Sequence, residues 1–144
     1  MDRQQTIDLV RGVWEAFARG DMKKVFAAMT EDVTWTLPQG GRLRGKNSIL
    51  HLARVSAGKL SGYSSEIRRA HCDGGTVILE MINRATTTDG KPYANKYCFI
   101  FDTMNEKITA ITEYVDQLTF RQAVGDAEFE DMRRRLALAI EAEK

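Results

Sequence analysis

The sequence feature that most constrains the fold is a series of four extended segments joined by short polar turns. Apolar and polar residues alternate along these segments, as they do in strands that bury one face. The turns are rich in Gly, Asp, Asn and Pro, which favour tight reversals between antiparallel strands. The second half of the chain therefore predicts an antiparallel meander. The predicted strands are 62–71, 76–87, 93–102 and 107–116, with turns at 73–75, 88–92 and 104–106.

The first half of the chain has mostly helical spacing instead. Asp2 is placed to cap a first helix, Gly20 to end it, and Asp21 to cap a second, short helix. A short strand over 31–37 and a third helix over 47–58 follow. This order predicts an α+β fold in which N-terminal helices lie across one face of a curved antiparallel sheet. A concavity is expected between the two layers.

The C-terminal part of the chain returns to helical spacing of its apolar residues. Apolar residues at helical intervals from Thr119 onward predict a charged, amphipathic C-terminal tail helix, interrupted at Gly125. We therefore divide the chain into a cone domain, residues 1–118, and a helical tail, residues 119–144. How the tail packs on the cone domain is left open by the pattern.

Composition argues against several classes of function. The chain has 144 residues, the length of one ordinary domain, and a formal net charge of +1. So small a charge does not attract nucleic acid or anionic membranes. The cysteines (Cys72 and Cys98) and the histidines (His51 and His71) lack the spacing of metal ligands. We expect a cytoplasmic protein without metal or cofactor.

Three groups of residues, taken in order, resemble one known family. The first group is Ala18-Arg19-Gly20-Asp21 followed by the stretch from Phe26 to Trp35. The second is Leu37-Pro38 followed by Arg44-Gly45-Lys46. The third is the segment 89–97, followed by Glu106-Lys107-Ile108 and by Glu113-Tyr114-Val115-Asp116. Together they resemble the SnoaL-like branch of the nuclear-transport-factor-2-like superfamily, which includes ketosteroid isomerases, limonene-epoxide hydrolases and polyketide cyclases. The resemblance implies a cone-shaped domain around one mostly apolar pocket, and a homodimer formed through the sheet face.

The catalytic set of the ketosteroid isomerases is not retained. Those enzymes need a carboxylate base and an oxyanion hole made by a tyrosine and a protonated carboxyl. The corresponding positions fall near Leu37, Val13 and Tyr97. Tyr97 is able to donate a hydrogen bond, but leucine and valine exchange no proton, so the resemblance does not imply this activity.

The resemblance to limonene-epoxide hydrolases and polyketide cyclases implies one candidate catalytic acid, Asp116. The aspartate–arginine–aspartate set of the limonene-epoxide hydrolases falls near Ile82, Glu80 and Asp116, of which only Asp116 has the required type. Polyketide cyclases rely mainly on one acidic residue in an apolar cavity. Asp116 fits that role by position, with Glu80 as its partner. The alternative is that Asp116 caps the tail or pairs with a basic residue.

The resemblance thus implies a pocket with named candidates, and three functions stay open. They are an isomerase, lyase or cyclase acting by acid–base chemistry on a hydrophobic carbonyl compound, a non-catalytic binder of a small apolar ligand, and a dimerisation module with a vestigial pocket. Core packing is the alternative role for the aromatic candidates, and an exposed helix position is the alternative for His51. The catalytic candidates are Asp116, Tyr97 and Glu80; the ligand-binding candidates are Trp35, His51, Phe99, Tyr114, Ile82, Phe17 and Leu37.

Overall fold

The computed structural model of the protein describes residues 1–141 and has the predicted α+β architecture. Helices pack on one face of a curved, unclosed sheet of seven strands. In chain order the elements are α1 (Arg3–Arg19), α2 (Met22–Ala27), β1 (Met29–Thr36), β2 (Arg42–Arg44), α3 (Lys46–Ala57), β3 (Leu60–Asp73), β4 (Thr76–Thr87), β5 (Pro92–Met104), β6 (Lys107–Val115), α4 (Gln117–Val124), α5 (Asp126–Ala137) and β7 (Ile140–Glu141).

The four long strands form the predicted meander, and the remaining strands extend it at one edge. The order across the sheet is β3-β4-β5-β6-β1-β2-β7. β3 to β6 pair antiparallel with their neighbours in sequence, whereas β1 lies parallel to β6. Parallel neighbours need a long crossover connection, and here most of the domain lies between β1 and β6. The sheet is therefore mixed rather than wholly antiparallel.

The helix boundaries follow the residues that were expected to set them. Asp2 accepts a hydrogen bond from the backbone N–H of Gln5, and the Gln5 side chain bonds back to Asp2, which forms a capping box. Gly20 ends α1 with φ of 78°, a left-handed conformation that glycine adopts without strain. Asp21 then caps α2 by accepting from the N–H of Lys24.

The core lies between the concave face of the sheet and the helices. Alternate residues of β4 and β5 point into it, because successive side chains of a strand face opposite sides. Trp14 of α1 packs on Phe99 of β5, with ring centroids 4.4 Å apart. Burying an aromatic or aliphatic side chain of this kind stabilises the fold by about 1.5–3 kcal/mol. The fully buried side chains of these two strands include Val77, Leu79, Met81, Phe99 and Phe101.

The C-terminal tail forms two helices and a strand rather than one interrupted helix. Gly125, with φ of 89°, separates α4 from α5 as the sequence predicted. Beyond α5, β7 pairs with β2, and Arg42 and Arg44 bind the carboxylate of Glu141. The tail thus completes the sheet edge. The division of the chain at residue 118 into a cone domain and a tail stays a prediction. The last residues of the tail, 142–144, lie outside the described residues.

None of the helices within residues 1–141 combines the length and apolar character needed to span a bilayer.

Candidate active site

A cavity of about 490 Å³ opens between the concave face of the sheet, α1, α3 and the tail helices. This volume lies in the range of pockets that hold small organic ligands. Its walls are mostly aromatic and aliphatic, so a ligand inside would lose contact with water. Side chains from both ends of the chain contribute, since Phe17 of α1 and Phe120 and Phe129 of the tail all belong to the lining. The aromatic part of the wall includes Trp14, Phe17, Trp35, Phe99, Phe120 and Phe129.

Glu113 is the only acidic residue in the cavity lining among the described residues. It lies on β6 directly opposite Phe99 of β5, and directly opposed residues share a face of the sheet. Its carboxylate accepts a hydrogen bond of 3.0 Å from the indole Nε1 of Trp35. Burial raises the pKa of Glu113 to about 7, because desolvation disfavours the anion, while the indole hydrogen bond acts in the opposite direction. The carboxyl group therefore exchanges its proton near neutral pH.

Tyrosine side chains line the same cavity as this carboxyl group. Tyr97 lines the cavity, and its hydroxyl oxygen is 2.7 Å from that of Tyr93. Asn95 Nδ2 donates to the Tyr93 oxygen over 2.9 Å, so Tyr93 is free to direct its own proton toward Tyr97. Burial raises the pKa values of Tyr63, Tyr93 and Tyr97, and the charge of Glu113 adds to each rise. These phenols therefore stay neutral and keep a proton that they can donate.

The arrangement combines the groups that acid–base chemistry needs. A carboxylate with a pKa near 7 is a base that is both populated and effective at neutral pH. A neutral phenol in an apolar wall stabilises negative charge that develops on an oxygen atom. Tyr97 and Glu113 lie on the same face of neighbouring strands, offset by two residues, because Tyr97 is opposite Val115.

The family model of the SnoaL-like domain matches residues 10–111, most of the chain. The chain belongs to the SnoaL-like domain family. No curated protein sequence shows significant similarity to it.

Solved structures show the same fold at low sequence identity. A nuclear-transport-factor-2-like protein of unknown function from Burkholderia pseudomallei is 21% identical, with a TM-score of 0.78 over 83% of this chain and 96% of that one. A candidate polyketide cyclase from Xanthomonas campestris is 24% identical, with a TM-score of 0.75 over 85% and 98%. An LEH-like epoxide hydrolase from M. tuberculosis is 22% identical, with a TM-score of 0.71 over 84% and 90%. At these identities the likeness shows the fold alone.

Half of the predicted site residues of this SnoaL-like protein lie together in the cavity. Trp35 and Leu37 reach it from β1 and the loop that follows, and Phe17 reaches it from α1. Tyr97 and Phe99 stack with parallel rings at 5.8 Å along β5. All five side chains belong to the cavity lining.

The two predicted carboxylates lie outside the cavity. Asp116 is exposed and caps α4, where it accepts from the backbone N–H and the hydroxyl of Thr119 at 3.1 Å and 2.9 Å. Those bonds lower its pKa, so the prediction of a proton-exchanging group at this position is wrong. Glu80 lies on the outer face of β4, where it binds the Arg69 guanidinium at 2.9 Å. The alternative role of Asp116, a cap, is the one observed.

Three of the predicted ligand-binding residues also lie outside the cavity lining. Tyr114 is 57% exposed on the outer face of the sheet, since its neighbour Glu113 points inward. Ile82 faces the same way as Glu80, two residues earlier on β4. His51 lies on α3 outside the cavity lining, with its Nε2 2.9 Å from the backbone oxygen of Arg135.

Glu113 and Tyr63 are site residues that the sequence reasoning missed. A signal for Glu113 was present, because Ile111 and Val115 are apolar at a spacing that places residue 113 on their face. Tyr63 stands at the start of β3 between glycine and serine, and nothing in that pattern marks its orientation.

Within the part of the chain that the structure describes, no three His, Cys, Asp or Glu side chains come together as a metal site.

Proposed function

We propose that this SnoaL-like protein is an acid–base enzyme acting on a small hydrophobic carbonyl compound, of the isomerase, lyase or cyclase kind. The observation that carries the proposal is one carboxyl group, Glu113, with a pKa of about 7 in an apolar cavity beside neutral phenols. Perturbed pKa values in a cavity are typical of catalytic groups.

The proposed step is proton abstraction from the carbon next to a carbonyl group. The Glu113 carboxylate takes the proton, and the electron pair moves onto the carbonyl oxygen. Tyr97 donates a hydrogen bond to that oxygen as its charge develops, supported by the donor chain from Asn95 through Tyr93. Return of the proton to another carbon of the conjugated enolate completes an isomerisation. In a ring closure the enolate carbon attacks a second carbonyl, and the alkoxide formed there takes the proton back from the Glu113 carboxylic acid.

The apolar wall supports this chemistry in two ways. It raises the basicity of Glu113 by desolvation, and it strengthens the hydrogen bond from Tyr97 because competing water is excluded. The aromatic side chains in the cavity lining suit an aromatic or polycyclic compound.

The experiment uses 2-tetralone, a hydrophobic ketone with an acidic α-proton, incubated in D2O and followed by proton NMR. The wild-type protein is expected to accelerate α-deuteration above the buffer rate, with a half-maximal rate near pH 7. Glu113→Gln should reduce the protein-catalysed rate by at least about 100-fold, the usual contribution of a general base. Glu80→Gln, which removes the same charge from the outer face, should leave the rate unchanged.

The same experiment separates the alternatives. Binding of 2-tetralone without exchange would favour the non-catalytic binder and contradict the enzyme. Absence of both binding and exchange would favour a dimerisation module.

We also propose that the protein forms a homodimer through the outer face of the sheet. That face exposes Ile78 of β4 and Tyr114 of β6, the two strands that flank β5. Light scattering is expected to give twice the monomer mass, and Tyr114→Glu should halve it. A wild-type monomer would contradict the proposal. The cytoplasmic location stays a prediction.

A further inference from the structure

Charge is distributed unevenly around the cavity. Four basic residues belong to its lining, whereas Glu113 is the only acid there among the described residues. The chain as a whole has a net charge of only +1, so this is a local feature. The basic residues are Arg19, Arg54, Lys59 and Arg133.

Two of these cations are already paired with acids of the tail. The Lys59 ammonium group binds Glu128 at 2.6 Å and Asp131 at 2.7 Å, which ties α5 to the end of α3. Arg133 binds Glu130 at 3.3 Å within α5. Their charges are largely neutralised where they lie, and they leave little attraction for a ligand.

Arg19 and Arg54 differ from them. Both arginines belong to the cavity lining and both are exposed to solvent. They therefore lie where the cavity opens to solvent. Neither forms an ion pair with any acid in residues 1–141, although most arginines of the chain do. They come from different helices, the last turn of α1 and the last turn of α3.

A helix C-terminus favours a basic residue on its own account, through the helix dipole. That preference accounts for one arginine at the end of each helix. It does not account for two guanidinium groups that line one cavity and form no ion pair within residues 1–141. Guanidinium groups bind carboxylates well, because their N–H groups match the two carboxylate oxygens.

We propose that the cavity takes an amphipathic acid, whose apolar ring system lies inside and whose single anionic group pairs with Arg19 and Arg54 at the opening. The inference rests on the proposed small-molecule pocket, but not on catalysis by Glu113. The opposite orientation is disfavoured, because it would bring the ligand anion into the apolar wall beside the Glu113 carboxylate.

Two fluorescent probes that differ by one anionic group test this. 1-Anilinonaphthalene-8-sulfonate has the proposed character, and N-phenyl-1-naphthylamine has the same ring system without the sulfonate. Fluorescence titration of the wild-type protein should show a preference for the anionic probe that weakens with added salt. The double variant Arg19→Gln/Arg54→Gln should bind the anionic probe roughly three- to tenfold more weakly, as expected for two exposed ion pairs, and the neutral probe unchanged.

Two control variants sharpen the comparison. Lys23→Gln/Lys96→Gln removes the same charge from exposed positions outside the cavity lining and should keep the preference. Arg19→Lys/Arg54→Lys keeps both positive charges, so this variant should retain most of the preference for the anionic probe. If the arginines serve only the helix ends, the glutamine variant loses thermal stability and its ratio of affinities stays constant.

An equal loss for both probes, or no loss, would overturn the inference while leaving the pocket in place. Failure of the wild-type protein to bind either probe would overturn the inference and the pocket together. Absence of ketone exchange with an intact preference for the anionic probe would contradict only the proposed catalysis.

Discussion

Trp35 Nε1 donates a hydrogen bond of 3.0 Å to Glu113 Oε1 across the parallel pair β1 and β6. Trp35 lies directly opposite Ile111, so the bond reaches one step further along the same face of the sheet. This bond fixes the position of Glu113, the one acid in the cavity lining within residues 1–141, and moderates the effect of burial on its pKa.

Replacing Trp35 by Phe removes the indole donor and keeps an aromatic ring in the wall. The pKa of Glu113 is then expected to rise above about 7, because the bond that favours the anion is lost. Carbon-13 NMR of labelled glutamate carboxyl groups measures this. Trp14→Phe is the matched control, since Trp14 also lines the cavity but donates to Ser65, and it should leave the Glu113 titration in place.

The raised pKa of Glu113 makes stability depend on pH. The folded protein holds this proton up to a pH of about 7, whereas an ordinary glutamate releases it near 4.5. The wild-type protein should therefore lose stability as pH rises from 4.5 to 7, relative to Glu113→Gln, which has no such proton. The difference between the two is expected to reach at most about 3 kcal/mol above pH 7. Urea unfolding at a series of pH values measures it, and a constant difference would contradict the raised pKa.

Asp116 is expected to matter for stability and not for turnover. Asp116→Ala removes the cap of α4 and should lower the melting temperature by a few degrees, whereas Asp116→Asn keeps an acceptor and should lower it less. Because the pKa of Asp116 is lowered in the folded protein, its contribution is present at neutral pH and lost as pH falls through that lowered value. Loss of ketone exchange in Asp116→Asn at an unchanged melting temperature would contradict this and favour Asp116 as a catalytic acid.

Local patterns were sufficient to predict most of the fold. Alternation and turn residues placed β4 at its observed bounds, and Asp2 and Gly20 marked both ends of α1. β2 and β7 were not predicted, because three- and two-residue strands have no alternation to detect. They form only through pairing between residues far apart in the sequence.

The site was harder to predict, because its face of the sheet depends on register. Tyr114 was assigned to the cavity as an aromatic residue, although Tyr97 and Phe99 face inward opposite Val115 and Glu113. The register of β5 and β6 shifts at Asp102–Thr103, so counting back from the turn does not give the face. Because a displacement of one residue exchanges inward and outward side chains, Tyr114 points outward where Glu113 points inward. The prediction of Asp116 comes from its position in the family resemblance, which does not give the direction of its side chain.

The central claim is that the carboxyl group of Glu113 exchanges its proton near neutral pH inside the cavity. Its carbon-13 chemical shift, assigned by its absence from the spectrum of Glu113→Gln, follows that proton directly as pH is changed. The account predicts a midpoint of about 7. A midpoint at or below 4.5, the ordinary value for glutamate, would contradict it.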